Sequence, residues 1–238
     1  MSEVFPVGTN VRVRIEQDTD PESPREWSVF GKMACWHRRY NLGDEQPKKE
    51  PTEWLEHLAM DLDPGLEEIE HRTEEVISRY YDYRLTAQRL PVRIADEYMK
   101  WKREVAIQDN CVMLPLYLYD HSGLRMSTGS FSCPWDSGQV GWIYATKEQV
   151  IKEFGEWSAE SIQKAEKLLN AEVETYSQYL EGDVWGYIIE MRSDEDEEDW
   201  EDHSSCWGFF GFDYCKEEAM AIAESLKKEQ ANSFVNFM

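Results

Sequence analysis

The chain of 238 residues has no long apolar run. Its longest, VMLPLYLY at 112–119, has eight residues, whereas a membrane-spanning helix needs about 20. The opening segment MSEVFPVGTN contains neither a basic region nor an apolar core. We therefore expect no membrane partner and no secretory signal peptide, which favours a protein that works in the cytoplasm.

Basic residues are also scarce. The sequence has 25 Lys and Arg against 48 Asp and Glu, so its formal net charge is -23 at pH 7. A surface with this charge repels phosphate groups, so we expect no direct binding to nucleic acid. Hydrophobic residues make up 41% of the chain and aromatic residues 13%. Because so many large rings need burial, the composition predicts a folded protein.

Cysteine pairs typical of zinc sites are missing. The five cysteines are odd in number and no CxxC motif occurs. A zinc site normally uses two close pairs of ligands, and only Cys35 with His37 and His203 with Cys206 come near that spacing. We therefore expect reduced thiols, no metal and no cofactor.

The negative charge is concentrated in one part of the chain. Residues 151–202 carry more than half of the net charge, and eight acids occupy the nine positions 194–202, where only Trp200 interrupts them. Such a block repels itself and predicts a solvated loop. A calcium-binding EF-hand is excluded, because its sixth and twelfth positions would be Asp199 and Ser205 instead of Gly and Glu. Two interpretations remain, a solubilising loop or a surface that imitates the phosphate backbone of DNA.

Hydrophobic periodicity predicts an α+β fold, with an antiparallel or mixed sheet covered by amphipathic helices. The predicted strands cover 11–17, 28–36, 111–120, 124–132, 139–146, 184–191 and 205–212. The predicted helices cover 52–61, 64–90, 92–107, 147–154 and 158–181, with a last helix from Asp213. We expect a single domain over 1–238, with a helix-rich lobe 1–110 and a sheet-rich lobe 111–238 as the alternative organisation.

The two aromatic runs 184–191 and 205–212 flank the acidic loop, so they should pair as an antiparallel hairpin. On the helix 158–181, four glutamates lie off the apolar stripe and should be exposed, namely Glu160, Glu166, Glu174 and Glu181. If the hairpin folds beside this helix, one acidic surface results. The predicted partner-binding residues are Asp194, Asp196, Glu197, Glu198, Asp199, Glu201, Asp202, Glu166 and Glu174.

An enzyme remains an alternative on two residues. Cys133 is a candidate nucleophile, and His121, at the end of a predicted strand, is the candidate base if 124–132 folds back as a hairpin. The other interpretation is that both residues belong to ordinary turns.

Several segments carry a family resemblance. PREW at 24–27, CWHRRYNLGDEQP at 35–47, LPLYLYDHSG at 114–123, WDSGQVGWIY at 135–144 and SCWGFFGFDYC at 205–215 resemble a family of proteins common in phages and mobile plasmids. The resemblance covers nearly the whole chain. It implies an origin on a mobile element and action in the cytoplasm of a bacterial host, and it carries over no site residue.

Charge and resemblance together favour an accessory protein that inhibits a host defence system, of the restriction or CRISPR type, through an acidic, DNA-mimicking contact with a host or defence-system protein. One alternative is a host-takeover or structural interaction module without DNA mimicry. The second alternative is a Cys/His-dependent enzyme. The sequence leaves the oligomeric state open.

Overall fold

The computed structural model describes residues 2–81, 89–192 and 199–235, apart from the side chains of 79–81, 89–92 and 230–235. These ranges contain six α-helices and two antiparallel sheets, which confirms the α+β class. Each sheet has four strands. The sequence suggested one sheet, because periodicity identifies strands but does not assign them to partners.

The strands are β1 Ser2–Pro6, β2 Val11–Gln17, β3 Lys32–Cys35, β4 Cys111–Asp120, β5 Leu124–Ser127, β6 Ser137–Thr146, β7 Val184–Met191 and β8 Glu201–Phe210. The helices are α1 Pro51–Leu62, α2 Gly65–Tyr81, α3 Arg89–Asn110, α4 Lys147–Phe154, α5 Ala159–Glu181 and α6 Phe212–Val235. Strand β1 was not predicted. The part of the predicted helix 64–90 at 82–88 lies outside the described residues. None of the helices within the described ranges is long and apolar enough to cross a membrane.

Contacts divide the chain into two compact units that draw on both of its halves. The first unit consists of Met1–Trp27, Tyr119–Met126 and Glu174–Met238. The second consists of Ser28–Leu118 and Ser127–Val173. Each unit is therefore built from segments that are separated in the sequence.

The first unit contains the sheet with the order β1-β2-β7-β8. Helix α6 packs on one face of this sheet through Cys215, Ala219 and Ala223, which are fully buried against β2 and β7. These residues follow one another at four-residue intervals, so they form one stripe of the helix. Because their side chains are small, the helix can approach the sheet closely.

The second unit contains helices α1, α2 and α3. Leu58 of α1 packs with Cys111 and Tyr144 of the strands β4 and β6. Ala59 of α1, Leu66 of α2 and Ala106 of α3 form a second cluster, which joins the three helices. The second sheet has the order β3-β6-β4-β5, and its strands β3 and β6 and most of β4 belong to this unit.

Local hydrogen bonds explain where the elements differ from the prediction. Strand β3 begins at Lys32 rather than at residue 28, because the backbone N–H groups of Phe30 and Gly31 donate to the Glu172 carboxylate at 2.5 and 3.1 Å. Pro91 does not interrupt α3, since it lies in the first helical turn, where a backbone N–H has no intrahelical partner. Helix α4 begins as predicted at residue 147, where Thr146 and Gln149 form a capping box.

Candidate interaction surface

The β7–β8 hairpin is present as predicted. The two strands pair antiparallel, with Met191 opposite Glu201 and Glu190 opposite Asp202. Strand β8 therefore begins at Glu201 and not at residue 205. The connecting loop is therefore shorter at its C-terminal end than the predicted strands 184–191 and 205–212 implied, because the end of β7 pairs with Glu201 and Asp202.

Strand β8 is the edge strand of its sheet. Its first seven residues, 201–207, are all exposed. A strand that covers a core on one face buries every second residue. Residues 201–207 are instead exposed on both faces, apart from the contacts of Asp202 with Arg14 and of the Trp207 ring with Gly186. An edge strand also presents backbone N–H and C=O groups that can pair with another chain.

A buried carboxylate lies beside this edge, on the face of the sheet opposite α6. The side chain of Glu190 is 7% exposed and accepts from Arg12 Nε at 2.6 Å and Arg14 Nε at 3.1 Å. Two guanidinium groups offset the cost of removing this charge from water. Arg14 also pairs with Glu16 and reaches Asp202 Oδ1 at 3.5 Å. Glu190 and Asp202, which would repel each other as a cross-strand pair, are therefore bridged by one arginine.

Trp200, the one aromatic residue within the acidic run, is held by two arginines. Its ring lies 4.2 Å from Cζ of Arg12 and 4.8 Å from Cζ of Arg192. Arg192 in turn donates from Nε to the carbonyl oxygen of Thr9 at 2.8 Å. These cation–π contacts attach the C-terminal end of the acidic run to the sheet.

Sequence reasoning missed this arginine cluster. The pattern VRVR at 11–14 places Arg12 and Arg14 on the same face of β2, since alternate strand residues share a face. Arg192 borders the acidic run on its N-terminal side. In the sequence, the arginine cluster is thus visible only as two basic residues on one face of β2. They indicate a cluster around Glu190 only once β2 is known to pair with β7.

The predicted partner-binding acids divide into three groups. Asp199, Glu201 and Asp202 are exposed at the hairpin. Asp194, Asp196, Glu197 and Glu198 lie outside the described residues. Glu166 and Glu174 are exposed on α5, as are Glu160 and Glu181, which confirms the exposure that periodicity predicted. Their membership of one surface with the hairpin stays a prediction.

The two candidates for catalysis have different neighbours. Cys133 belongs to the second unit, and its thiol donates to Asp136 Oδ2 at 3.3 Å. His121 belongs to the first unit, is exposed, and has its ring centroid 6.2 Å from that of Tyr119. The contact made by the Cys133 thiol is thus to a carboxylate in its own turn, where Ser137 also donates to the Cys133 carbonyl at 2.5 Å.

All five cysteines have free thiols, and Cys35, Cys111 and Cys215 are buried. Burial raises the pKa of Cys111 to about 12 and that of Cys215 to about 11. Among the His, Cys, Asp and Glu residues that the structure describes, no group of three or more is arranged to hold a metal ion.

No protein-family model, curated protein or solved structure matches this chain. The surface is therefore interpreted from its own chemistry. Exposed carboxylates on an attached strand can bind positive groups through charge, and the open edge can add hydrogen bonds to a partner's backbone.

Proposed function

We propose that this protein is an accessory protein of a phage or mobile element, and that it inhibits a host defence system of the restriction or CRISPR type. It acts by binding a DNA-binding protein through an acidic hairpin surface of Asp199, Glu201 and Asp202. The acids at 194–198 of the same run, which lie outside the described residues, are proposed to bind with them. The attachment of Trp200 to Arg12 and Arg192 is the observation that carries the proposal. A run that served only for solubility would not need this attachment.

The arginines do not cancel the acidity of this surface. Arg12 pairs with the buried Glu190, and Arg14 divides its contacts among Glu190, Glu16 and Asp202. Asp199 and Glu201 remain exposed on the solvent side. The whole protein has a formal net charge of -23. The hairpin therefore attracts a basic surface within one Debye length, about 8 Å at physiological ionic strength.

The open edge of β8 supports a protein rather than a small ion as the partner. Seven consecutive exposed strand residues present backbone groups along this edge, which register shifts opposite Trp185/Tyr187 and Ile189/Glu190 divide into short stretches. A basic extended segment that adds to this edge gains main-chain hydrogen bonds, while the acids select its charge.

The test measures competition with DNA. Purified restriction and CRISPR effector complexes are bound to labelled target DNA, and the protein is titrated in at several salt concentrations. We expect displacement of DNA from at least one complex, and we expect it to weaken as salt rises, because the contacts are ionic. In the hairpin variant, serine replaces Asp194, Asp196, Glu197, Glu198 and Asp199.

A matched variant separates the hairpin from overall charge. It removes five exposed acids elsewhere by changing Glu67, Glu148, Glu153, Glu156 and Glu217 to Gln. We expect the hairpin variant to lose displacement and the matched variant to keep it, while both retain the free energy of unfolding. Equal effects of the two variants, or displacement that is indifferent to salt, would contradict the proposal.

A second candidate function, an interaction module without DNA mimicry, is favoured by an exposed stripe on α3. Ile94, Tyr98 and Trp101 are 58%, 42% and 53% exposed, and their spacing of four and three residues aligns them on one helix face. Lys102 lies 5.8 and 5.4 Å from the rings of Tyr98 and Trp101. Such a stripe is typical of a helix that packs against another helix.

Sedimentation over a range of protein concentrations tests this second candidate. If two copies associate through the stripe, Trp101→Glu shifts the protein to monomer, whereas Trp135→Glu, at a 92% exposed position outside α3, does not. A concentration-independent monomer for the unmodified protein would count against self-association.

A further inference from the structure

Helices α1, α2 and α3 enclose a cleft of about 410 Å³ within the second unit. This volume lies in the range of small-molecule sites, roughly 300–1,000 Å³. Sites between helices of a bundle are a frequent location for such ligands. The cleft does not involve the acidic hairpin surface, so the inference drawn from it goes beyond the proposed function.

One arginine fixes the relative positions of the three helices around the cleft. Arg103 of α3 donates from Nη1 to Glu56 of α1 and from Nη2 to Glu70 of α2, both at 2.6 Å. The Arg103 side chain is only 18% exposed. Because two carboxylates match the charge of Arg103, this guanidinium adds no net positive charge to the cleft.

The walls of the cleft are largely apolar. Leu55 of α1, Ile77 of α2, and Met99 and Ile107 of α3 contribute alkyl and thioether groups. Met99 is the most buried of these side chains, at 6% exposed. An alkyl or aryl group placed here leaves water, and its affinity grows with the apolar area that it buries.

The charged residues at the cleft favour a cation. Glu74 on α2 and Asp96 on α3 border it, and both are exposed. Glu104 also borders it and pairs with Lys100 at 4.0 Å. The positive charges of Arg103 and Lys100 are matched within their ion pairs. The carboxylates of Glu74 and Asp96 then give the cleft a negative potential, which attracts an ammonium group and repels a carboxylate or phosphate.

We propose that this cleft binds a small molecule with an apolar body and a positively charged ammonium group. The apolar body lies against Leu55, Ile77 and Met99, and the ammonium group lies toward Glu74 and Asp96. The apolar walls provide affinity, and the two carboxylates provide selectivity for charge.

Three probes with the same chain and different head groups test the proposal: octylamine, octanol and octanoate. Binding of each to the full-length protein is measured by isothermal titration calorimetry at pH 7, below the micellar range. We expect octylamine to bind about tenfold more tightly than octanol, and octanoate to bind more weakly than either. Equal binding of octylamine and octanoate, or no binding of any probe, would overturn the proposal.

Variants locate the site. The pair Glu74→Gln with Asp96→Asn should lower the affinity for octylamine about tenfold and leave that for octanol unchanged. The matched pair Glu67→Gln with Glu68→Gln removes the same charge from exposed positions of α2 that do not line the cleft, and should change neither affinity.

A third variant, Ala95→Leu, narrows the cleft and should weaken octylamine and octanol alike. Circular dichroism verifies that each variant folds. If both charge pairs lower octylamine binding equally, the effect comes from overall charge and the cleft is not the site.

Discussion

The carbonyl oxygen of Ala34 occupies the space that a side chain at Gly141 would fill. An ideal Cβ atom built on Gly141 lies 2.0 Å from this oxygen, far inside van der Waals contact. Gly141 is on β6, directly opposite Cys35 of β3. The close approach of these two strands therefore depends on the absence of a side chain at residue 141.

Gly141→Ala should lower the free energy of unfolding by about 3 kcal/mol, because the atom that it meets belongs to the backbone and cannot rotate away. Urea unfolding measures the change. Gly138→Ala, in the same strand, is the matched control, since a Cβ atom there meets nothing within 4 Å. Similar effects of the two variants would show that the strands are not in this close contact.

Trp200→Ala should destabilise the protein by about 1–2 kcal/mol, because it removes cation–π contacts to Arg12 and Arg192. Trp135→Ala should have almost no effect, since Trp135 is 92% exposed. Denaturant unfolding of both variants is the measurement. If Trp200→Ala is as mild as Trp135→Ala, the acidic run is not attached to the sheet.

Glu190→Gln should cost about 2–3 kcal/mol, because Arg12 and Arg14 then lose the buried carboxylate that matches their charge. Glu16→Gln removes a carboxylate that contacts Arg14 alone and is 32% exposed, so its effect should stay below about 1 kcal/mol. Thermal unfolding of the two variants gives the comparison. A larger effect at Glu16 than at Glu190 would contradict the assignment of Glu190 as the centre of the cluster.

The stability of the protein should fall as the pH rises from 9 toward 12. The folded-state pKa of the Cys111 thiol is raised by burial to about 12, from 9.0 for a free thiol. In this window the unfolded chain has lost the thiol proton and the folded protein retains it, so unfolding releases a proton and higher pH favours it. The contribution of Cys111 is fully present below pH 9 and is lost as the pH approaches 12, with a slope of about 1.4 kcal/mol per pH unit.

Urea unfolding at several pH values measures this slope. Cys111→Ala should reduce it, because the variant removes the buried thiol whose pKa is raised. Cys215 causes a smaller loss of stability in the same direction, because burial raises its pKa to about 11. An unchanged slope in Cys111→Ala would show that the thiol is accessible to water.

Local chemistry was enough to predict most of the elements. The stripe Ile162, Ala165, Leu169, Val173 predicts α5, and Thr146 with Gln149 predicts the start of α4. Successive residues in these patterns are three or four positions apart, and such residues meet whenever the helix forms. The exposure of Glu160, Glu166 and Glu174 follows from the same periodicity.

The arginine cluster could not be predicted in this way. Arg12 and Glu190 are 178 positions apart in the chain, and Arg14 and Glu190 are 176 apart. No local pattern indicates that β2 pairs with β7, and a shift of one residue in that pairing would place Glu190 on the opposite face. The cleft likewise depends on how α1, α2 and α3 pack together, which the sequence of each helix does not indicate.

The sequence by itself determined that the chain folds, that it combines helices with antiparallel hairpins, and that a dense acidic run joins two paired strands. Composition and short-range periodicity suffice for these properties, because burial and local hydrogen bonds decide them. Only the tertiary structure decided that the strands form two sheets and that Trp200 is attached to Arg12 and Arg192. It alone placed Arg103 between Glu56 and Glu70, since these contacts join side chains that the chain brings together only after its sheets and helices have packed.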